Sequence, residues 1–364
     1  MNILAPISGA LIAIIVLMVL TGTDAFAHGV SIDNANPWTA WNLTPDIALG
    51  TILVLALYSA GAWRQRHKAD RARTWRYAFF FAGLTVIFLA LQSSIDPIAE
   101  RNFFVHQIQH LLIRMIGPML IFLSAPQGTL VAGTPKWVQN HIVNPVVTSR
   151  FTRGIFAVVA HPAVVTAFFI GVLYFWQIPR VHNVALLNDY VHYLMHFSLL
   201  FAGLLFFWRI FDPRPAPMGT RYGVRLMMLW IMILSNIILG SYLAFKGGVF
   251  YPAYDELGRL WNTPLTDEQL GSITIWIPNS MMGLVAILIV VHMWGRQETK
   301  DDNRRIAKLA QHGYGWNEPP MTGAELIAQA APKNQSMAFG FAAFVLCVFA
   351  TAIMIGVINQ LLAA

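Results

Sequence analysis

Two pairs of histidines in this sequence have a spacing that suits metal binding. His106 and His110 lie four residues apart near the start of the apolar stretch 103–126, and His192 and His196 repeat that spacing farther along the chain. An α-helix turns by about 100° per residue, so histidines four apart share one helix face and can bind one ion. Two such pairs on two helices predict a site with four imidazole ligands.

The donor atoms of this site indicate which metals it would bind. Neutral imidazole is a ligand for copper, zinc, iron and nickel, and the site has neither cysteine nor a convincing carboxylate beside it. Copper fits this donor set best, and zinc is the next candidate. One haem bound by two of the histidines is a third candidate, because pairs about 6 Å apart along a helix leave no room for two stacked haems. A lone membrane histidine more often makes a hydrogen bond between helices, and the paired spacing favours a metal instead.

The composition places these histidines in a membrane protein. The chain has 364 residues, of which 57% are hydrophobic and 11% are charged, whereas ordinary soluble domains carry about 25% charged residues. A helix of about 20 apolar residues crosses about 30 Å of hydrocarbon. Such segments occupy residues 45–63, 76–93, 103–124, 155–176, 190–210, 225–245, 272–294 and 337–361. The predicted fold class is therefore all-α, a polytopic membrane helix bundle.

The first 27 residues have the features of a secretory signal peptide. An apolar run is followed by the small-x-small cleavage pattern of residues 25–27, although no lysine or arginine precedes the run. The alternative is an uncleaved anchor helix. Residues 28–364 then form a single transmembrane helical domain. Cleavage would leave His28 at the N-terminus, where its amine and imidazole are either a chelating pair for Cu(II) or solvated groups.

Basic residues in the loops predict how the chain is oriented. The loop 64–76 is rich in lysine and arginine, and such loops stay in the cytoplasm. Alternation of the spans places loops 125–154, 211–224 and 295–336 on the same side, and these are the other basic loops. The net charge of +7 therefore reflects membrane topology, and we predict lipid rather than nucleic acid as a partner.

Both histidine pairs are predicted to lie at one depth on the outer side. The spans 103–124 and 190–210 both enter the membrane from that side, and each pair falls within the first two turns of its helix. At 1.5 Å per residue, each pair lies roughly 3 to 10 Å below its helix start. We expect the two spans to be in contact, with imidazole nitrogens roughly 3 to 4 Å apart around one ion.

Arg114 continues the face of the first histidine pair one turn deeper. A buried guanidinium is always charged and needs a partner. A backbone carbonyl, Gln109, Asp96 or Asp189 could serve. We expect Arg114 to point towards the metal cavity and limit inward passage of cations, while a purely structural role between helices remains the alternative.

The remaining polar features are weaker candidates. His161 and His292 fall at the cytoplasmic ends of their spans, and His182 falls in an external loop, where it could add a fifth ligand or an access site. The external stretch 246–271 is the most acidic outer segment, and we expect an ordinary solvated loop there. The single cysteine, Cys347, excludes an intrachain disulfide or a cysteine-based metal site.

Several motifs together resemble one known family. They are HQIQHLLIRMIGPMLIFLSAP from residue 106, HP at 161–162, WQIP at 176–179, HYLMH at 192–196, FW at 207–208 and DEQLGSITIWIP at 267–278. They are similar to motifs of the CtaG family of bacterial cytochrome c oxidase assembly factors, in its multi-span membrane form. The resemblance covers roughly residues 45 to 295. Gln177 departs from it, because family members often have histidine at this position.

The resemblance implies a bundle of seven core transmembrane helices that is not an enzyme. It implies a factor in the bacterial inner membrane that binds or handles copper at the periplasmic side, with oxidase subunits or a periplasmic copper carrier as partners. The four paired histidines match the functional positions of the family. The alternatives are a copper transporter, which needs further ligands across the bilayer, and a membrane metalloenzyme, which needs a carboxylate base or more histidines.

Overall fold

A computed structural model describes residues 36–41, 43–68, 71–214, 216 and 218–311, together with scattered positions between 332 and 358. Within these residues the chain is helical and contains no strand. Its main helices are α1 (Pro45–Arg64), α2 (Arg71–Gln92), α3 (Phe103–Leu123), α4 (Gln127–Gly133), α5 (Arg150–Val159), α6 (Pro162–Gln177), α7 (Pro179–Leu187), α8 (Asp189–Ile210), α9 (Tyr222–Ala244) and α10 (Pro264–Gln311).

The described helices include five that are long and apolar enough to cross a membrane, namely α1, α2, α8, α9 and α10. Two bent pairs raise the number to seven if each pair is one span. The bend between α3 and α4 is 78°, and the bend between α5 and α6 is 62°. The predicted all-α polytopic bundle is therefore confirmed. The segment 1–27 lies outside the described residues, and the span 337–361 is described only at scattered positions.

The two histidine-bearing helices begin in the same way. Asn102 precedes α3 and accepts a hydrogen bond from the Val105 backbone N–H at 3.0 Å. Asn188 precedes α8 and accepts one from the Val191 N–H at 3.2 Å. Each asparagine satisfies a donor that the first turn of a helix leaves without a partner. Each cap also stands four residues before the first histidine of its pair, so both pairs start at the same level.

The course of α3 changes just after its histidine pair. Residues Leu112–Ile116 form a π-helical turn, in which the Gly117 N–H donates to the Leu112 carbonyl. Pro118 follows and has no N–H, so the Arg114 carbonyl lacks its usual donor four residues on. Such widened turns occur often at functional sites. The helix then continues to Leu123.

The site lies where α3 and α8 pack together. Among the described helices, α3 contacts α2, α8 and α10, and α8 also contacts α6 and α7. Gly203 of α8 permits a close approach, since a Cβ at this position would lie 2.2 Å from the Arg114 carbonyl oxygen of α3. Any larger side chain would push the two helices apart. The expected contact between these two spans is confirmed.

Two boundaries differ from the sequence-based prediction. The helix α10 begins at Pro264 rather than 272, so Asp267 and Glu268 lie in its first turns, where both are fully buried. The expectation of a solvated loop is therefore wrong for these two acids, because each is satisfied by ion pairs and backbone N–H groups. The predicted span 155–176 is also broken, because His161 accepts a hydrogen bond from the Ala163 N–H and caps a new helix there.

Candidate metal centre

The four paired histidines meet in one buried cluster. The Nε2 atom of His106 lies 3.4 Å from the Nε2 atom of His192 and 3.4 Å from that of His196. The ring centroids of His106 and His110 are 4.3 Å apart, and those of His110 and His196 are 5.5 Å apart. All four side chains are buried. The predicted proximity of the two pairs is confirmed.

Three of these residues are spaced closely enough to bind one ion. One nitrogen from each of His106, His110 and His196 lies within 4.8 Å of the other two. His192 is outside this triad, although its Nε2 atom is close to that of His106. Ligand nitrogens about 2.0 Å from an ion lie roughly 3 to 4 Å apart, so a small inward movement would complete a metal shell. The buried triad could bind a metal, and its geometry alone selects no particular element.

His110 has buried ring nitrogens that remain available to bind an ion. Neither of its ring nitrogens has a hydrogen-bond partner among the described residues, although its side chain is only 3% exposed. A buried polar group without a partner costs free energy, of the order of 1 to 3 kcal/mol. A metal ion bound by one nitrogen would recover part of that cost. The donor set consists of imidazole nitrogens only, which suits copper or zinc.

A series of hydrogen bonds fixes the orientation of His106, the central histidine of the cluster. His106 Nδ1 lies 2.6 Å from the Tyr254 hydroxyl, which lies 2.8 Å from His182 Nε2, and His182 Nδ1 lies 3.0 Å from the Trp176 carbonyl. A carbonyl only accepts, so His182 Nδ1–H must donate to it. Burial lowers the pKa of His182 to about 4, so its Nε2 is a bare acceptor at neutral pH.

The hydrogen bonds of His182 also determine which nitrogen of His106 carries a proton. The Tyr254 hydroxyl donates to His182 Nε2, because burial raises the pKa of this phenol well above its usual value and keeps it protonated. Its oxygen must then accept from His106 Nδ1–H. His106 Nε2 is consequently free of a proton and faces the other imidazoles. His182, suggested above as a fifth ligand in a loop, lies buried in α7 with both nitrogens hydrogen-bonded.

A network of ion pairs fixes the segment that contains Tyr254. Glu268 pairs with Lys246 and accepts from the Phe250 and Tyr251 N–H groups at 2.9 Å each. Arg259 donates to the Tyr251 carbonyl at 3.0 Å. The segment between α9 and α10 is therefore attached to the start of α10 by both backbone and side-chain contacts.

Asp267 connects this network to α3. Its two carboxylate oxygens accept from the Phe103 and Phe104 N–H groups at 2.9 and 3.0 Å, and it pairs with Arg259 at 2.6 Å. A carboxylate at a helix N-terminus is favoured by the helix dipole. Sequence reasoning missed this role, as it missed Tyr254, although a pair of acids just before an apolar helix was a usable signal.

Arg114 has a backbone partner, one of the alternatives predicted. Its guanidinium lies over the Phe169 ring, 3.7 Å from the centroid, and donates to the Phe169 carbonyl at 3.1 Å. Gln109 is not its partner, because the Gln109 amide nitrogen donates to Asp96 at 2.7 Å and its amide oxygen, the atom that could accept from Arg114, makes no hydrogen bond within the described residues. Within the described residues no hydrogen bond joins Arg114 to the four histidines. The contacts of Arg114 are therefore directed towards α6.

Four further histidines within the described part of the chain lie away from the cluster. His161 caps α6, and His67, His141 and His292 are exposed. None of these four belongs to a group of metal-binding side chains within the described chain.

Comparison with known proteins identifies the family. The family model described as cytochrome c oxidase caa3 assembly factor, Caa3_CtaG, matches residues 56–297, which is more than half of the chain. This chain belongs to that family.

The relatives of this caa3 assembly factor family member are distant. The uncharacterised protein ML1998 of Mycobacterium leprae is 19% identical over 265 residues, which cover 72% of this chain. The uncharacterised protein Mb0105 of Mycobacterium bovis is 20% identical over 278 residues, which cover 74%. In each case the match spans only 40% of the relative's own length. No solved structure matches the chain.

Gln177 is the position at which this member departs from the family motif described above. Its side chain is buried, and its amide donates to Gln107 at 2.9 Å. The Tyr251 hydroxyl donates to its backbone carbonyl at 2.8 Å. Gln177 is thus placed beside the second turn of α3, and its hydrogen bonds are to neutral groups.

Proposed function

We propose that this caa3 assembly factor family member binds one copper ion through His106, His110, His192 and His196 and holds it for an oxidase under assembly. The observation that carries the proposal is the 3.4 Å approach of His106 Nε2 to the Nε2 atoms of both histidines on α8. The side chains that group closely enough to bind an ion in the described chain are all histidines. The ion is cargo that must be released again, so binding through neutral ligands in an adjustable geometry suits the task.

The charge of the site favours a univalent ion. Imidazole ligands are neutral, so a bound ion keeps its whole charge inside a buried pocket. The cost of transferring an ion out of water rises with the square of its charge, so a divalent ion costs about four times as much as a univalent one of equal size. Cu(I) therefore fits better than Zn²⁺. A haem is less suitable, since a macrocycle between His106 and His192 would collide with the other two imidazoles.

The location follows from the charge pattern of the loops. The histidine cluster lies at the start of α3 and α8, at the opposite end of these helices from the basic loops. Basic loops remain in the cytoplasm, so the cluster faces the periplasm of a bacterial inner membrane. Partners are then oxidase subunits or a periplasmic copper carrier, and membrane lipid surrounds the bundle. In this proposal residues 28–364 form a single transmembrane domain.

A transporter has less support. Passage of copper would require further ligands towards the other end of the bundle, but His161 is used as a helix cap and His292 is exposed. Arg114 adds a fixed positive charge about one turn below His110, which opposes the inward movement of a cation. An enzymatic role has less support, because no acidic side chain among the described residues groups with the histidines as a base, and we propose a binding function without catalysis.

The proposal is tested by oxidase assembly in cells. A bacterium lacking this protein is complemented with the native chain, with His106→Gln, with His196→Gln, or with His141→Gln as the exposed control. We expect the first two variants to lower the copper content and activity of the oxidase while the variant proteins stay abundant in the membrane. Added copper should restore part of the loss. Full oxidase copper in both cluster variants would refute the proposal.

A further inference from the structure

The Tyr254 hydroxyl stands between two imidazoles, only one of which belongs to the proposed metal site. Its oxygen lies 2.6 Å from His106 Nδ1 and 2.8 Å from His182 Nε2. Because His182 Nδ1–H donates to the Trp176 carbonyl, the neutral His182 ring leaves Nε2 as an acceptor, so the Tyr254 O–H donates to it and the Tyr254 oxygen accepts from His106 Nδ1–H. Tyr254 and His182 are both fully buried, so no solvent competes for these bonds. This series of hydrogen bonds ends at the Trp176 carbonyl, which lies 3.0 Å from His182 Nδ1. A carbonyl cannot donate a proton.

This arrangement determines which nitrogen of His106 carries the proton. Free histidine in water favours protonation at Nε2, whereas a hydrogen bond accepted from Nδ1–H holds the proton at Nδ1. The Nε2 lone pair of His106 then faces His192 and His196. In the other tautomer a proton would occupy the position of the ion.

We infer that Tyr254 and His182 are positioning residues of the metal site, which hold His106 as the Nδ1–H tautomer and aim its Nε2 lone pair at the ion. This inference rests on the proposed copper function. Partners that orient a ligand from behind contribute strongly, and their loss typically weakens metal affinity by about 10-fold to 100-fold. The partners here are neutral, so they orient His106 without adding the negative charge that would favour a divalent ion.

The segment that contains Tyr254 is fixed independently of the metal. Asn183 on α7 donates to the Phe250 carbonyl at 3.2 Å, and the Phe103 ring stacks on Tyr251 with centroids 4.6 Å apart. Because these contacts remain without the Tyr254 hydroxyl, Tyr254→Phe should keep the fold. Tyr251→Phe is a matched control, since this equally buried hydroxyl donates to the Gln177 carbonyl and to no histidine.

The test measures Cu(I) affinity by competition with bathocuproine disulfonate on the purified full chain. We expect Tyr254→Phe and His182→Leu to bind Cu(I) about 10-fold to 100-fold more weakly than the native chain. His182→Gln should restore most of the affinity, because its amide oxygen can accept from Tyr254. Tyr251→Phe should bind as the native chain does. Equal affinity of the Tyr254→Phe and Tyr251→Phe variants would overturn the inference.

A second measurement separates this inference from the copper proposal. Infrared or Raman bands of the imidazole ring distinguish the two tautomers in protein without metal. The native chain should show Nδ1–H histidine signal from both His106 and His182, and His106→Gln and Tyr254→Phe should each lose the His106 share of it, whereas Tyr251→Phe should keep all of it. If the signal behaves this way while the native chain binds no copper, the copper proposal fails and the positioning role stands. If the signal is the same in all variants, the positioning role fails.

A separate observation concerns α5, at the other end of the bundle. Phe151, Ile155 and Val158 are 76%, 49% and 64% exposed, and their spacing of four and three residues puts them on one helix face. Phe156 lies on a different side, where its ring packs against Trp208 with centroids 5.4 Å apart. At 100° per residue, Arg153 falls on a third side, roughly opposite the apolar face.

A helix with an exposed apolar face, a side packed against protein and an opposite basic side is typical of one that lies in a membrane surface. The 62° bend between α5 and α6 means that α5 does not continue the span. The 16 residues of α6 extend about 24 Å, which is less than the hydrocarbon thickness. The end of α5 that adjoins α6 therefore lies close to the membrane surface, and the start of α5 lies near the level of the headgroups. We propose that α5 binds the bilayer surface, with Phe151, Ile155 and Val158 among the acyl chains and its arginines at anionic phosphates.

Spin labels test this surface. Single cysteines replace Ile155 or, as the control, Arg153, in a chain that also has Cys347→Ser. The labelled full chain is placed in vesicles of phosphatidylethanolamine and phosphatidylglycerol. We expect the label at 155 to be relaxed mainly by oxygen, which dissolves in lipid, and the label at 153 mainly by a water-soluble nickel chelate. Relaxation of the label at 155 by the nickel chelate, or by neither reagent because protein covers it, would overturn the proposal.

Discussion

The Nε2 atoms of His106 and His192 lie 3.4 Å apart, although 86 positions separate these residues in the chain. Two local features produce this approach. Asn102 and Asn188 start their helices four residues before the two histidines, and Gly203 leaves no Cβ to separate α3 from α8. The cluster therefore depends on backbone contacts that lie outside the histidines themselves.

Gly203 should be sensitive to the smallest substitution. Its added Cβ would lie 2.2 Å from the Arg114 carbonyl oxygen, so Gly203→Ala must move one helix. We expect a loss of stability of about 1 to 3 kcal/mol, together with weaker Cu(I) binding. Gly171→Ala is the matched control in α6, where a Cβ meets nothing within 4 Å. Thermal unfolding in detergent compares the two variants, and equal midpoints would contradict the close helix approach.

Asp267 and Asp255 both pair with Arg259, but in different surroundings. The Asp267 side chain is fully buried and also caps α3, whereas the Asp255 side chain is 42% exposed. Removing one partner of a buried ion pair costs about 3 to 5 kcal/mol, whereas an exposed pair contributes below about 1 kcal/mol. Asp267→Asn should therefore lower the unfolding midpoint far more than Asp255→Asn. Similar midpoints for both variants would show that the network does not stabilise this end of the bundle.

Replacing Arg114 should change the Cu(I) affinity in a direction that tests its role. Arg114 lies one helical turn from His110, and two like unit charges roughly 8 Å apart repel by about 2 kcal/mol at an effective dielectric constant of ~20, so its charge opposes a bound univalent ion. Arg114→Met should therefore bind Cu(I) more tightly, by about tenfold or more, while Arg114→Lys keeps the charge and should bind as the native chain does. Burial of methionine in place of an arginine is often neutral for stability. Weaker Cu(I) binding by Arg114→Met would mean that Arg114 supports the site.

The orientation of the bundle can be measured with single cysteines. In a Cys347→Ser chain, Glu256→Cys marks the histidine end and His67→Cys marks the other end, and both native side chains are exposed. A membrane-impermeant thiol reagent added to intact spheroplasts should label position 256 and spare position 67. Labelling of position 67 alone would reverse the topology and place the metal site in the cytoplasm. Both cysteines should react after the cells are opened.

The sequence was most informative where periodicity carries the signal. Apolar runs and histidine spacing predicted the helices, the two helix starts and the approach of His106 to His196, because each depends on residues close together in the chain. The break at His161 was missed, since the apolar run continues through it and only the following proline indicates a new helix.

The surroundings of the site could not be predicted in the same way. Tyr254 reaches His106 from a segment 148 positions away, and Asp267 caps α3 from the start of α10. Neither contact leaves a periodic pattern, because each depends on how separate helices pack. Arg114 is an intermediate case, since its burial was predictable but the choice of the Phe169 carbonyl over Gln109 was not.

The most direct test of the metal site is X-ray absorption at the copper edge, recorded on the purified full chain with one equivalent of Cu(I). We predict three or four nitrogen neighbours at about 2.0 Å, outer-shell scattering from imidazole rings and no sulfur. His106→Gln should lose at least one of these nitrogens. A sulfur neighbour, or a spectrum that is the same in the native chain and in His106→Gln, would contradict the assignment of this histidine cluster as a copper site.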